Sequence, residues 1–138
     1  MPTSVLETEL ESYARGRLAL PWEYDLPPAL RARVPLVSII IPVNGGLDLT
    51  RACVESLEAN TPDVFELVIV DNASDPETAQ YLSGLGAMLI RNDRNAGFPR
   101  AINQGLERSR GRYVCLLNND TEVLPGWLEP LVETASRS

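Results

Sequence analysis

From Pro35 onward the chain repeats one pattern four times, and that repetition restricts the fold more than any single motif does. Each repeat is a short apolar, β-branched run, then a polar turn, then a segment with apolar residues at helical spacing. The runs are Val37 to Ile41, Phe65 to Val70, Ala87 to Ile90 and Tyr113 to Leu117. Continuous apolar runs of this length, bounded by Pro, Gly, Asn and Asp, read as strands buried on both faces. The intervening helices are expected from Leu49 to Asn60, with Asp48 as N-cap and Leu49, Ala52, Cys53 and Leu57 on one face, and from Pro76 to Leu85. A third opens near Pro99 and carries Ala101, Ile102 and Leu106; a last one starts at Pro125 and carries Trp127, Leu128, Leu131 and Val132. Strict alternation requires right-handed crossovers. The expected fold is therefore α/β, a Rossmann-like and mostly parallel sheet with helices on both faces.

The 138 residues suit one such domain over residues 36–138, and 44% hydrophobic residues suffice for its core. Residues 1–35 differ in character. A short helix carrying Leu6, Leu10, Tyr13 and Leu18 is expected there, followed by an extended arm enforced by Pro21, Pro27, Pro28 and Pro35.

Absences narrow the chemistry. There is no His and no Lys, and all 12 basic residues are Arg. Histidine bases, histidine metal sites, Schiff-base lysines and the P-loop lysine are thereby excluded. What remains is carboxylates, arginines, amides and an oxygen-bound metal. A net charge of −7 and a pI near 4.6 oppose general binding to nucleic acid or anionic membrane. Cys53 and Cys115 read as two small buried hydrophobes in a reducing compartment. No apolar run has membrane-spanning length and no leader peptide is recognisable, so the expected location is cytoplasmic, with any peripheral attachment to the inner membrane supplied by the rest of the protein.

In a parallel sheet the ligand crevice lies at the carboxyl ends of the strands. Three of the loops expected there are polar: Asn44-Gly45-Gly46, Asp71-Asn72-Ala73-Ser74-Asp75, and Asn118-Asn119-Asp120-Thr121. Asp, Asn and Gly are also ordinary turn formers, but three such loops on one sheet edge favour a site. Asp71 and Asp120 are isolated acids flanked by amides, too few for a calcium cage. They suit Mg2+ or Mn2+, which take one or two carboxylates and complete their shell with water and phosphate oxygens. The implied ligand is a nucleoside diphosphate. Gly45 and Gly46 allow the backbone to approach it closely, and Asp71 can accept from a base N–H or a ribose hydroxyl.

Pro35 to about Glu133 resembles the N-terminal, nucleotide-binding half of glycosyltransferase family 2, which has the GT-A fold. The resemblance rests on Val37-Ser38-Ile39-Ile40-Ile41-Pro42-Val43, on Leu67 to Ser74, on Asn95-Ala96-Gly97-Phe98 with Ala101 to Gly105, and on Leu116 to Val123. It implies transfer of a sugar from a nucleoside-diphosphate sugar to an acceptor hydroxyl, with inversion at the anomeric carbon. It makes Asn118 to Asp120 the DxD-like motif, with Asp120 on the metal and Asn119 near the ribose. Asp71, Asn72 and Ser74 would serve the nucleoside, as would Pro42, Val43 and Asn44; Gly97 and Arg100 fall in the third motif, where Arg94 or Arg100 is placed to reach a phosphate.

Two departures stand out. Relatives usually carry an aromatic residue and then Asn after Pro-Val, whereas this chain has Asn44 and Gly45; and Asn118 at the first DxD position leaves Asp120 as the one acid of the triplet. The family's catalytic domain also continues well past this motif to bind a glycan or lipid-linked acceptor and to supply the general base. The resemblance therefore implies a donor-binding part without its base, since Glu129 and Glu133 fall at the spacing of a solvated helix face. Two other readings share the pattern. A dinucleotide-binding oxidoreductase module needs G-x-G-x-x-G after the first strand, which Pro42 to Leu47 lacks. A non-catalytic interaction domain of the same fold needs no site at all.

Overall fold

The computed structural model describes residues 35–62 and 65–137, so the expected helix and arm of residues 1–34 lie outside the described residues. Four strands form one sheet: β1 (Val37–Val43), β2 (Phe65–Asn72), β3 (Met88–Asn92) and β4 (Tyr113–Leu116). The order is β3-β2-β1-β4 and every pairing is parallel. Between and after them lie helices α1 (Leu47–Asn60), α2 (Pro76–Ser83), α3 (Phe98–Arg108) and α4 (Leu128–Ser136). The expected α/β class and the parallel sheet are both present.

β1 is the centre of the molecule. Ile39, Ile40 and Ile41 are each 0% exposed, and successive side chains enter opposite faces. Ile39 and Ile41 pack with Cys53 and Leu57 of α1, Leu82 of α2, and Leu128 and Val132 of α4. Ile40 packs with Val68 and Val70 of β2 and with Ala101 and Ile102 of α3. One face thus carries three helices and the other carries α3, each buried aliphatic side chain contributing about 1.5–3 kcal/mol.

Several boundaries differ from the sequence expectation, each for a local reason. α1 starts at Leu47, capped by Gly46 in the left-handed region at φ 74°; Asp48 lies inside the first turn, where its charge favours the helix dipole. Its buried stripe is Thr50, Cys53, Val54 and Leu57, and Leu49 is exposed. β2 runs on through Asp71 and Asn72, because these pair with Arg91 and Asn92 of β3 and their side chains bond across the ladder. α2 begins as expected at Pro76, with Asp75 accepting from Thr78 N at 3.2 Å and from the Thr78 hydroxyl at 2.7 Å. Those two donors hold the Asp75 carboxyl below its ordinary range. Pro125 does not start a helix. It forms a turn with Gly126 at φ 76°, closed by Trp127 N to Leu124 O, and α4 begins at Leu128.

At the amino end of the sheet one buried acid knits three segments together. Glu66 on β2 accepts from the Ser38 hydroxyl of β1 at 2.6 Å, from Arg110 N at 2.7 Å and from Arg110 Nε at 2.9 Å. Ser38 in turn accepts from Gly111 N at 2.8 Å. Gly111 crosses β1 so closely that a Cβ there would stand 2.5 Å from Ser38 N. Gly111→Ala is therefore expected to cost about 1–3 kcal/mol, as overpacking does, measured by urea denaturation. Burial alone would raise the Glu66 carboxyl, but the Ser38 hydroxyl, the Arg110 N–H and the Arg110 guanidinium together hold it below its ordinary 4.5. A carboxyl with a lowered folded-state pKa contributes stability above its unfolded value and loses it as pH falls through the folded one. Glu66→Gln should consequently flatten the acid limb of the stability curve below about pH 4.5. An unchanged dependence of the urea midpoint on pH would contradict this.

Candidate functional site

The sheet order creates one topological switch point. From β1 the chain crosses to β2 on one side and later returns to β4 on the other, so the β1–α1 and β4–α4 loops diverge at the carboxyl edge. The expected polar loops meet there. Asn44 donates from Nδ2 to Asn72 O, and Gly45 N donates to the Ser74 hydroxyl at 2.9 Å. From the other side Asn119 Nδ2 donates to Thr50 Oγ1 at 3.0 Å and to Gly45 O at 3.4 Å. The β1–α1 loop is thus held between the loops that follow β2 and β4.

Pro42 and Val43 close β1, with Val43 buried and Pro42 half-buried, and Asn44 is exposed at the rim. Asp71 is 1% exposed: its Oδ1 accepts from Ser74 N at 2.9 Å and its Oδ2 from Arg91 Nε at 3.1 Å. Arg91 continues from Asp71 to Ala79 O and the Ser83 hydroxyl, which ties β3 to α2. Asn72 faces the opposite side of the sheet and is 4% exposed. It donates to Gly97 O at 3.4 Å and accepts from Asn92 Nδ2 at 2.7 Å and Ala96 N at 3.4 Å. Asp71 and Asn72 therefore brace the site from below. Asn44, Ser74 and Asn119 bond across the loops at this edge, and Asp120 follows in the same turn.

Gly97, at φ 89°, caps α3, and Arg94 and Arg100 line a polar pocket of about 560 Å³ with Asn92, Asn95 and Gln104. Asn92 and Gln104 exchange amide bonds at 2.8 and 2.9 Å on its wall. This pocket lies against β3, at the opposite edge of the sheet from β4. Arg100 and Asp120 thus stand at the two ends of the carboxyl edge rather than side by side.

Asp120 sits in a turn closed by Thr121 N to Asn118 O at 3.1 Å, and its side chain is exposed. Among the described residues no three His, Cys, Asp or Glu side chains converge as a metal cage. One exposed carboxylate amid neutral amides does fit Mg2+ or Mn2+ bound jointly with phosphate oxygens and water. Beneath the turn the Cys53 thiol lies 3.8 Å from Asn118 O. Burial pushes that thiol up to about 11, and the charges of Asp120 and Glu122 add to the effect. It is protonated at neutral pH. Cys53 should therefore resist thiol-specific reagents such as Ellman's reagent at pH 7.5 until denaturant is added; rapid labelling of Cys53 in the native protein, mapped by mass spectrometry, would refute this.

Sequence reasoning did not single out Thr50, Arg91, Asn92 or Gln104. The signal for Thr50 was present: a hydroxyl residue leads the buried stripe of an otherwise apolar helix face. Arg91 and Asn92 were hidden by ending β3 at Ile90.

The fold and the crevice define an α/β domain of the GT-A type, built around a polar site at the switch point. Residues 38–138 match the family described as "Glycosyl transferase family 2", and the chain belongs to that family. It is 31% identical over 103 residues to the uncharacterized glycosyltransferase YibD of Escherichia coli (strain K12), across 72% of this chain and 30% of that protein. It is 31% identical over 112 residues to the succinoglycan biosynthesis protein ExoO of Rhizobium meliloti (strain 1021), across 79% of this chain and 32% of that protein. The chain thus spans about a third of the length of these relatives. Among solved structures, GalNAc-T7 with UDP, GalNAc and Mn2+ superposes with a TM-score of 0.65 at 23% identity, over 76% of this chain and 21% of that one. Residues 1–349 of S. aureus TarS in complex with UDP give 0.64 at 21%, over 73% and 32%. Both show the shared fold. Among the described residues no helix is long and apolar enough to cross a membrane.

Proposed function

We propose that this chain is the donor-binding part of an inverting, metal-dependent glycosyltransferase that moves a sugar from a nucleoside-diphosphate sugar to a hydroxyl of a glycan or lipid-linked acceptor. The observation that carries the reading is the joining of three polar loops around the Asp120 turn at the switch point, in a chain of this family. The crystallised neighbours that carry UDP, one of them with Mn2+, support the ligand class.

In this reading the nucleoside lies along Pro42, Val43, Asn44 and Ser74, on a floor that Asp71 and Asn72 keep rigid. Arg100 and Gly97 border the far end, beside β3. The diphosphate lies toward the Asn118 to Asp120 turn. Asn119 meets a ligand through Oδ1, since its amide nitrogen is committed to Thr50 and Gly45. An oxygen acceptor suits a ribose hydroxyl and repels a phosphate. Asp120 would hold Mg2+ or Mn2+, which would offset the charge that builds on the departing diphosphate. The acceptor hydroxyl displaces the diphosphate from the opposite side of the anomeric carbon, which inverts it. We assign no general base within this chain: Glu129 and Glu133 stand on α4, and Glu133 pairs with Arg137. We place the base and the acceptor site in the part of the relatives' length that this chain does not span. The enzyme works in the cytoplasm, and any attachment to the inner membrane comes from that remaining part.

Calorimetric titration with UDP, GDP, ADP, CDP and dTDP, each with and without Mn2+, tests this directly. At least one diphosphate should bind more tightly with Mn2+, and Asp120→Ala should abolish that gain while leaving metal-free affinity within about twofold, a difference near 0.4 kcal/mol. Failure of all five to bind with Mn2+ present, or an undiminished Mn2+ effect in Asp120→Ala, would sink the reading.

A further inference from the structure

Thr50 is the one hydroxyl on the buried stripe of α1, and it is 0% exposed. A buried hydroxyl needs partners, and all of those around Thr50 belong to the crevice. It accepts from Asn119 Nδ2 at 3.0 Å, across 69 residues of sequence, and donates to Gly45 O at 3.5 Å. The second Asn119 amide hydrogen reaches the same Gly45 carbonyl at 3.4 Å. Gly46 faces Asn119 Nδ2 from the left-handed backbone, φ 74°, that only glycine adopts freely.

From this closed set of contacts we infer that Thr50 is a positioning residue, acting through Asn119 to fix the turn that carries Asp120 against the β1–α1 loop. The inference rests on the donor-site reading above. Asp120 is exposed and, among the described residues, no side chain bonds to it, so its place relative to the nucleoside end depends on the residue before it. Asn119 is that residue, and its amide nitrogen is held by the Thr50 hydroxyl together with the Gly45 carbonyl. A nitrogen donated to Thr50 turns Oδ1 to the crevice; among the described residues nothing donates to that oxygen. Replacing the hydroxyl by a methyl keeps the shape of α1 and removes the Thr50 bonds to Asn119 and to Gly45 O.

The test is Thr50→Val beside Thr50→Ser in the full 138-residue chain, titrated with the same five diphosphates with and without Mn2+. Thr50→Val should lose about tenfold of the affinity measured with Mn2+, the upper range for one hydrogen bond between neutral groups. Thr50→Ser should keep the wild-type Mn2+ effect. In an Asn119→Ala background, adding Thr50→Val should bring no further loss, because the two act in series. A Thr50→Val protein that melts earlier yet retains the full Mn2+ effect would reduce Thr50 to a packing residue and overturn the inference, leaving the donor site intact. If wild type itself shows no Mn2+-dependent binding, the donor-site reading fails and this inference falls with it. If Thr50→Val does not fold, Thr50→Ala is titrated in its place: an undiminished Mn2+ effect overturns the inference, and a loss of about tenfold upholds it.

Discussion

Everything in this domain depends on β1 being paired on both edges and buried on both faces. Its backbone groups are used by β2 on one side and β4 on the other, and its isoleucines are used by helices above and below. A strand in that position has no freedom of register, because a shift of one residue would exchange Ile40 with its neighbours across the sheet. Its carboxyl end is therefore a rigid point. The loops that leave β1, β2 and β4 at that end inherit its rigidity, which is why short polar side chains can hold them without a metal or a disulfide.

The two ends of the sheet solve different problems with similar chemistry. At the amino end Glu66, Ser38 and Arg110 form a charged knot that fastens the approach to β4. Its members satisfy one another, and burial of an acid is tolerated because its donors outweigh desolvation. At the carboxyl end the fastening is done by neutral amides and hydroxyls: Asn44, Thr50, Ser74 and Asn119.

The alternation of strands and helices made the fold class legible, because each β-branched run lay between turn residues and each helix carried its own apolar stripe. The edges of elements were less legible. Asp71 and Asn72 look like turn residues until their partners Arg91 and Asn92 are known, and those pairings span 20 residues. Pro125 is a good first helical residue in isolation, but Gly126 after it favours a turn. The polar loops were recognisable as a group from their place after the strands. Which of their side chains face the crevice, and which face each other, was not, because that depends on the parity of each strand. Asp71 and Asn72 are adjacent in sequence and point to opposite faces of the sheet.

That parity separates two jobs that a motif merges. In Asp71-Asn72-Ala73-Ser74 the acid is 1% exposed and the amide 4%, while Ser74 reaches the first loop. In Asn118-Asn119-Asp120 the last residue is open and the middle one is half committed to the scaffold. A motif of polar residues at a strand end is thus a mixture of groups that meet a ligand and groups that aim them. The buried groups determine the geometry of the exposed ones. On the proposed reading, a single acid such as Asp120 could anchor a metal and a diphosphate only if its turn is already in place, because each ligand it lacks must be replaced by order that the fold has supplied in advance.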